Sequence, residues 1–404
     1  MENQRRQRKR EMTPEERQIR KQKLFYHRSS KIYIKMAGIF LVFLIVAFAF
    51  NLFSKDKKYS ESENRMLAQK PVFSMANLTS GKYMKDMEDY VTDQFFIRDK
   101  WINLKVLEDL ALGKKESNGV YIGKKDYLME IPTAPNQKAL DNNLDAISNF
   151  SASHPDINTV MTLIPNAAYI YDHLIPRNAP VRDQEKDIKY VMNAVSTSLN
   201  FVDLTKTMSS HKEENIYYKT DHHWTTLGAR YAFDALSTAL GIEKPTQEYK
   251  IYPVTHSFQG TLASKSGYDK ALDTIEIYVP QGVNTECVVN FTDDGKKSAS
   301  VYESAALKKK DKYEVFFGGN HTRIDISTPM EEKKNLLLFK DSYANCFIPF
   351  LVPYYRNIIV IDPRYFYDDI ESLISDNEIT DVLFLYNVNT FLGDNSLGDV
   401  LVSE

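Results

Sequence analysis

The sequence predicts an α/β domain, a mainly parallel sheet flanked by helices and interrupted by a β-rich insertion, preceded by one N-terminal transmembrane helix. Three observations lead to this class. Residues 36–54 form an apolar run without a single charge, behind a basic head. Residues 336–339, 358–361 and 382–386 are short continuous apolar runs, as expected of strands buried on both faces. From residue 137 onward, stretches of helical period alternate with such runs.

Residues 1–35 carry twelve Lys/Arg against four Asp/Glu, a net charge of +8. The 404-residue chain has a net charge of −3, so the remainder is acidic at −11. A basic head on an acidic body argues against nucleic acid as a partner. Arg5, Arg6, Arg8, Lys9 and Arg10 open the head, and Arg28, Lys31 and Lys35 abut the apolar run. Such charge stays on the cytoplasmic side of a membrane. The run is too long for the apolar part of a signal peptide, and no A-x-A-like cleavage site follows it. The expected organisation is a cytoplasmic tail 1–35, a single membrane span 36–54, a juxtamembrane connector 55–78 and an extracellular domain 79–404.

Within that domain, Tyr83, Met84, Met87, Tyr90 and Val91 recur at helical spacing. This predicts one helix over 79–112, opened by Thr79 or Ser80 and ended by Gly113. Residues 137–150 read as helix, 159–164 as a strand ended by Pro165, 183–199 as helix and 201–204 as a short strand. Thr225 or Thr226 caps a helix running to about Leu240, where Gly241 stops it. Around 250–330 the pattern changes. Segments 251–255, 274–279 and 313–317 alternate, and turn pairs such as Asp294-Gly295 appear, so this stretch is the β-rich insertion. The two cysteines, Cys287 and Cys346, are too few for a disulfide scaffold, and their spacing fits no zinc site; two reduced thiols are the simpler reading.

Two segments carry residues suited to chemistry. In the second of them, Leu336-Leu337-Leu338-Phe339-Lys340-Asp341-Ser342, a serine follows a buried strand and precedes a helical stretch. A sharp turn there exposes a nucleophile beside backbone N–H groups, although a serine in that place is also a common helix N-cap. In the first, Tyr218-Lys219-Thr220-Asp221-His222-His223-Trp224, Asp221 and His223 share a face of an extended chain and His222 faces away. A serine hydroxyl needs a base oriented by a third group, and His223 held by Asp221 would supply both, provided the chain bends locally. Two other readings stay open. Asp221, His222 and His223 suit a metal site if His211, His256 or His321 joins them. Alternatively, the segment is a capped helix start with Trp224 packed inward.

Thr220-Asp221-His222-His223-Trp224, followed by Gly228-Ala229, resembles the signature of the DHHW family. That family is similar to the alginate O-acetyltransferases, which have an Asp-x-His-Trp motif on an SGNH-hydrolase-like fold. Glu63-Asn64-Arg65 with Leu67 and Pro71, Asp93-Gln94-Phe95-Phe96-Ile97-Arg98, Pro165 and Leu174-Ile175-Pro176 resemble further family segments. The resemblance implies Asp221 as orienting group, His223 as base and Ser342 as nucleophile. Asn166 stands where related acetyltransferases have a lysine, and the usual oxyanion-hole blocks have no clear match. Asn345, Asn387 and Asn389 are the candidate oxyanion donors. His222, Trp224 and Arg364 are further site candidates, Arg364 either for an anionic group or as a structural ion pair.

Two function classes follow. One is a serine acyl-transfer enzyme, an O-acetyltransferase or acetylesterase acting on a cell-surface glycan, with a membrane-bound O-acyltransferase as acetyl supplier and no bound cofactor. The other is a non-catalytic glycan-binding or assembly protein on the same fold.

Overall fold

The computed structural model describes residues 12–60, 65–243, 245–246 and 248–402. The basic cluster Arg5–Arg10, and Glu63 and Asn64 of the family-like entry segment, lie outside them. The chain divides into two compact units. One comprises the chain up to Tyr59 together with Met66–Arg98; the other comprises Ser60–Arg65 and Asp99–Glu404.

In the first unit a single helix spans Pro14–Phe53, 40 residues. It starts far upstream of the apolar run because Thr13 and Glu16 form a capping box and Pro14 occupies the first turn. From Pro14 onward, the described part of the expected tail and the apolar span are thus one continuous helix, about 60 Å long at about 1.5 Å per residue. Among the described residues, this is the one helix long and apolar enough to cross a membrane. The connector is also more structured than expected, with a short helix at Met75–Thr79 capped by Ser74.

The single helix expected over 79–112 is two, Lys82–Asp93 and Arg98–Ala111. The apolar spacing continues across the break, but the first helix stops at Asp93, capped by Gln94, and Ile97, just before the second, takes a left-handed φ of 47° that a continuous α-helix does not contain. Gly113, at φ 89°, closes the second helix.

The larger unit is built on an eight-stranded sheet. Its strands are β1 (Asn158–Ile164), β2 (Asn200–Phe201), β3 (Val288–Phe291), β4 (Lys296–Ser298), β5 (Arg323–Ser327), β6 (Asn335–Lys340), β7 (Asn357–Ile361) and β8 (Asp381–Asn387). They lie in the order β4-β3-β5-β7-β6-β8-β1-β2. Strands β7, β6, β8, β1 and β2 run parallel, and β5, β3 and β4 extend the sheet antiparallel beyond β7. The continuous apolar runs are explained by two cores. Leu336 and Leu338 enter one; Leu337 and Phe339 enter the other. Helix Thr226–Ser237 contributes Ala229, Phe233 and Leu236 to the first core. Helices Gln137–Ser153 and Gln184–Val195 contribute Leu140, Ile147, Ile188 and Val191 to the second.

The stretch around 250–330 does not form one separate insertion. Tyr249–Phe258 and Asp273–Pro280 pair as their own hairpin, while β3, β4 and β5 join the main sheet. Residues 313–317, expected as an alternating strand, form a 3-10 turn at Lys312–Val315 with a lone bridge from Phe316 to Tyr302. The strand expected at 201–204 is only Asn200–Phe201, because Leu204 already starts the helix Thr205–Ser210.

Candidate active site

Ser342 lies two residues beyond the carboxyl end of β6, at the head of the 3-10 turn Ser342–Cys346. The N-cap of that turn is Asp341. Its Oδ1 accepts from Tyr343 N at 3.0 Å and its Oδ2 from Asn387 N at 2.9 Å, which fixes the turn against the end of β8. The capping reading of Ser342 is therefore replaced by Asp341, and the serine hydroxyl is left for another partner. Burial pushes the Asp341 carboxyl up.

The Asp-His-His-Trp segment bends back on itself. Tyr218 N donates to His223 O at 3.2 Å, and Tyr217 bridges Trp224. This supplies the local bend that an Asp–His contact across two residues requires. It reaches the site as a loop behind the helix Thr205–Ser210, not directly from a strand end. His223 Nδ1 lies 2.5 Å from Asp221 Oδ1, and His223 Nε2 lies 2.7 Å from Ser342 Oγ. An aspartate oxygen only accepts, so Nδ1 carries the ring proton and Nε2 faces the serine as acceptor.

The carboxylate of Asp221 is fully employed. Oδ1 also accepts from His223 N at 3.0 Å, and Oδ2 accepts from Thr261 N at 2.8 Å and Thr261 Oγ1 at 3.0 Å. Burial alone would raise its pKa, but the neighbouring histidines and these hydrogen bonds outweigh burial and hold it well below the usual carboxylate range. His223 is pushed down to about 4, first by burial and then by the charge of His222, against the opposing pull of Asp221.

His222 does not face away as the alternation suggested. Its ring lies 3.9 Å from that of His223, and its Nδ1 is 2.7 Å from Thr261 Oγ1. Because Thr261 Oγ1 donates to Asp221, it accepts from His222, so His222 carries its proton on Nδ1. Asp221, His222 and His223 bring ligating atoms within 4.8 Å of one another. The hydrogen bonds nevertheless spend both nitrogens of His223 on Asp221 and Ser342 rather than on a shared ion.

Trp224 is fully buried, and its indole N–H donates to Tyr343 O at 2.8 Å, so it ties the two segments together. Gly228 is required by close approach: a Cβ there would lie 2.5 Å from Ile216 O. Thr225 caps the following helix, accepting from Gly228 N at 3.3 Å.

The three asparagines expected as oxyanion donors have amide donors engaged elsewhere. Asn345 Nδ2 donates to Asn320 Oδ1 at 3.2 Å, Asn387 Nδ2 to Ile164 O at 3.1 Å, and Asn389 Nδ2 to Glu130 Oε2 at 3.4 Å. Asn166 is buried in a network with Gln184 and Asn387. Arg364 grips Asp362 with Nε at 2.8 Å and Nη2 at 2.5 Å, the ion-pair alternative rather than a free anion site. Cys287 and Cys346 are both free.

Several residues that position the site escaped the sequence reading. Tyr313 stacks on His223, ring centroids 3.9 Å apart and 10° from parallel, and donates to Ser342 O at 3.1 Å. Tyr343 donates to His222 O. Asp273 receives Lys219 N, Thr220 N and Thr220 Oγ1 at 2.9, 2.8 and 2.6 Å. Gly260 packs so closely that a Cβ would come 2.3 Å from Asp221. These contacts span long sequence separations and leave no local periodicity to read.

Fold and geometry together define a class: an α/β protein with an Asp–His–Ser hydrogen-bonded series beside the carboxyl end of a central parallel strand. The chain belongs to the DHHW family, whose model, described as DHHW protein, matches residues 138–361 and so includes both segments. A crystal structure of a DHHW family protein from Eubacterium siraeum aligns with a TM-score of 0.58 at 25% identity, covering 72% of this chain and 98% of that one. Bacillus cereus PatB1 with a sulfonyl adduct shares the fold, with a TM-score of 0.59 at 18% identity over 70% of this chain and 97% of that one. Among curated proteins, the probable alginate O-acetylase AlgJ of Pseudomonas syringae pv. tomato is 23% identical over 52% of this chain and 53% of its own length. The chain thus spans about half the length of that relative.

Proposed function

We propose that this protein is a membrane-anchored serine acyl-transfer enzyme that places acetyl groups on a cell-surface polysaccharide. The observation that carries the reading is the continuous series from Asp221 through His223 to Ser342, with contacts of 2.5 and 2.7 Å. Ser342 Oγ attacks the carbonyl carbon of an acetyl ester as His223 Nε2 takes the hydroxyl proton. The ester C–O bond breaks, the proton passes to the leaving alcohol, and acetyl remains on Ser342. A sugar hydroxyl then gives its proton to His223 and attacks the acetyl carbon, the bond to Ser342 Oγ breaks, and His223 returns the proton to Oγ; water in place of the sugar makes the enzyme an acetylesterase. Asp221 keeps the histidine in the productive tautomer throughout.

The polysaccharide and the acetyl chemistry draw support from the alginate O-acetylase name of the curated relatives. The five parallel strands with helices on both faces fit an SGNH-hydrolase-like domain. The helix Pro14–Phe53 anchors the protein, with residues 1–35 cytoplasmic and 55–404 outside. A membrane-bound acyltransferase then supplies the acetyl group, because a cytoplasmic thioester donor does not reach that face. The test is turnover of an acetyl ester by the full-length protein in detergent. Ser342→Ala should reduce it to background; wild-type turnover in that variant would refute Ser342 as the nucleophile, and an unreactive Ser342 in the wild type would instead favour a non-catalytic glycan-binding protein.

A further inference from the structure

Attack on an acyl group puts negative charge on its carbonyl oxygen, and the Asp221–His223 pair is placed to serve the serine, not that oxygen. Each of the three expected asparagine amides already gives at least one hydrogen bond elsewhere. We propose that the side-chain amide of Asn320, together with the N–H of Ser342, donates to this oxygen. The inference rests on the acyl-transfer reading and assigns it a further catalytic residue.

Asn320 belongs to none of the segments singled out in the sequence. Its Oδ1 accepts from Lys340 Nζ at 3.2 Å and from Asn345 Nδ2 at 3.2 Å. Those two residues flank Ser342, two positions before it and three after. The orientation of the Asn320 amide is chemically forced, because only a carbonyl oxygen can receive both a lysine amine and an amide N–H. Its NH2 group is therefore turned away from the two buried donors. Lys340 and Asn345 are 1% and 2% exposed, whereas Asn320 is exposed and Ser342 is the one residue between Lys340 and Cys346 that is not buried. Asn320 and Ser342 are thus the solvent-reachable members of a cluster whose other two, Lys340 and Asn345, are buried. On the backbone, Asp341 already takes Tyr343 N at Oδ1, and its carbonyl takes Ala344 N at 3.2 Å. The remaining N–H that opens the turn is that of Ser342.

The loop that delivers Asn320 is held in an unfavourable conformation. Phe317, Gly318 and Gly319 have φ of 64°, 80° and 122° in succession, and a positive φ is rare for a buried phenylalanine. Backbone of this kind persists where the surroundings over-determine it. His321 does so here by donating to Phe317 O at 3.0 Å while its other nitrogen meets Asp293 at 3.1 Å. Lys340 is held in turn by Asp362, its Nζ 3.6 Å from the same Oδ2 that Arg364 Nη2 meets at 2.5 Å. Burial pushes the Lys340 amine down, opposed by Asp362. The group formed by buried Lys340 and Asp362 with half-buried Arg364 thereby acquires a purpose in the fold, orienting one exposed amide.

The test measures kcat and KM for p-nitrophenyl acetate with the full-length protein in detergent, for wild type, Asn320→Ala, Asn320→Asp and Ser342→Ala. Asn320→Asp keeps an oxygen for Lys340 and Asn345 but has no N–H to give, so it preserves the loop and removes the donor. Both Asn320 variants should lose about 10²–10³-fold in kcat with KM changed by less than about threefold. Thermal unfolding of Asn320→Asp should match wild type, separating lost catalysis from lost folding. Near-wild-type kcat in Asn320→Asp, while Ser342→Ala is inactive, overturns the Asn320 assignment alone. Unchanged turnover in Ser342→Ala overturns the acyl-transfer reading and this inference with it.

Discussion

The two segments that meet at Ser342 are supported in opposite ways. Ser342 is held by its own neighbourhood: a fully buried strand runs into it, and Asp341 caps the turn that follows. Asp221 and His223 sit in a loop without regular structure, held by residues remote in sequence, namely Gly260, Thr261, Asp273 and Tyr313. The nucleophile's place is thus secured by burial of Leu336, Leu337, Leu338 and Phe339, each contributing roughly 1.5–3 kcal/mol as a fully buried side chain. The base's place is secured by a few directional hydrogen bonds, each contributing roughly 0.5–1.5 kcal/mol net, or about 1.5–3 where a charged group takes part. The catalytic geometry should therefore be more sensitive to substitution around the base than around the serine.

The largest effect should come from the base itself: His223→Ala should lower acetyl-ester turnover by about 10⁴-fold with an unchanged circular dichroism spectrum. Gly260→Ala, which touches neither the serine nor the histidine, comes next. Its Cβ would lie 2.3 Å from Asp221, so Asp221 or the loop must shift, and turnover should fall about 10²-fold from misplacement alone. A Gly260→Ala enzyme of wild-type activity would break the comparison. His222→Ala should cost far less, about tenfold or below, because the hydrogen bond of His222 goes to Thr261 and not to Ser342, and its Nδ1 stands 3.7 Å from Asp221 without bonding to it. The smallest change is in pH dependence. Neutral His223 is the active base, present above its pKa and lost as pH falls through it. With that pKa pushed down to about 4, the acid limb of kcat/KM should lie below the ordinary histidine range, while the Asp221 carboxylate stays ionised. An acid limb at or above pH 6.5 would contradict the burial of His223.

The same contrast explains what was legible in the sequence. Strands β6, β7 and β8 showed as continuous apolar runs because two cores bury alternate residues of each. Asp221, His223 and Ser342 stood out because their residue types and local spacing suit one chemistry. What failed depended on contacts that no period encodes. The break at Ile97 interrupts an apolar pattern that itself continues, and β3–β5 looked like an insertion because antiparallel pairing with β7 is a property of the assembled sheet. His222 was placed on the wrong side because strict alternation holds for an extended strand, and this segment is bent. Asp341, one residue before Ser342, was the available signal that the serine is not the cap.

If His223 activates Ser342 as a nucleophile, Ser342 should react covalently with a serine-directed sulfonyl fluoride at a rate set by the imidazole. Full-length protein is treated with phenylmethylsulfonyl fluoride, and its peptides are weighed by mass spectrometry over time. A single sulfonyl adduct should form on the peptide containing Ser342, disappear in Ser342→Ala, and form about 10²–10⁴-fold more slowly in His223→Ala. Labelling of Ser342 at an equal rate with and without the His223 imidazole, or no labelling at Ser342, would contradict the account.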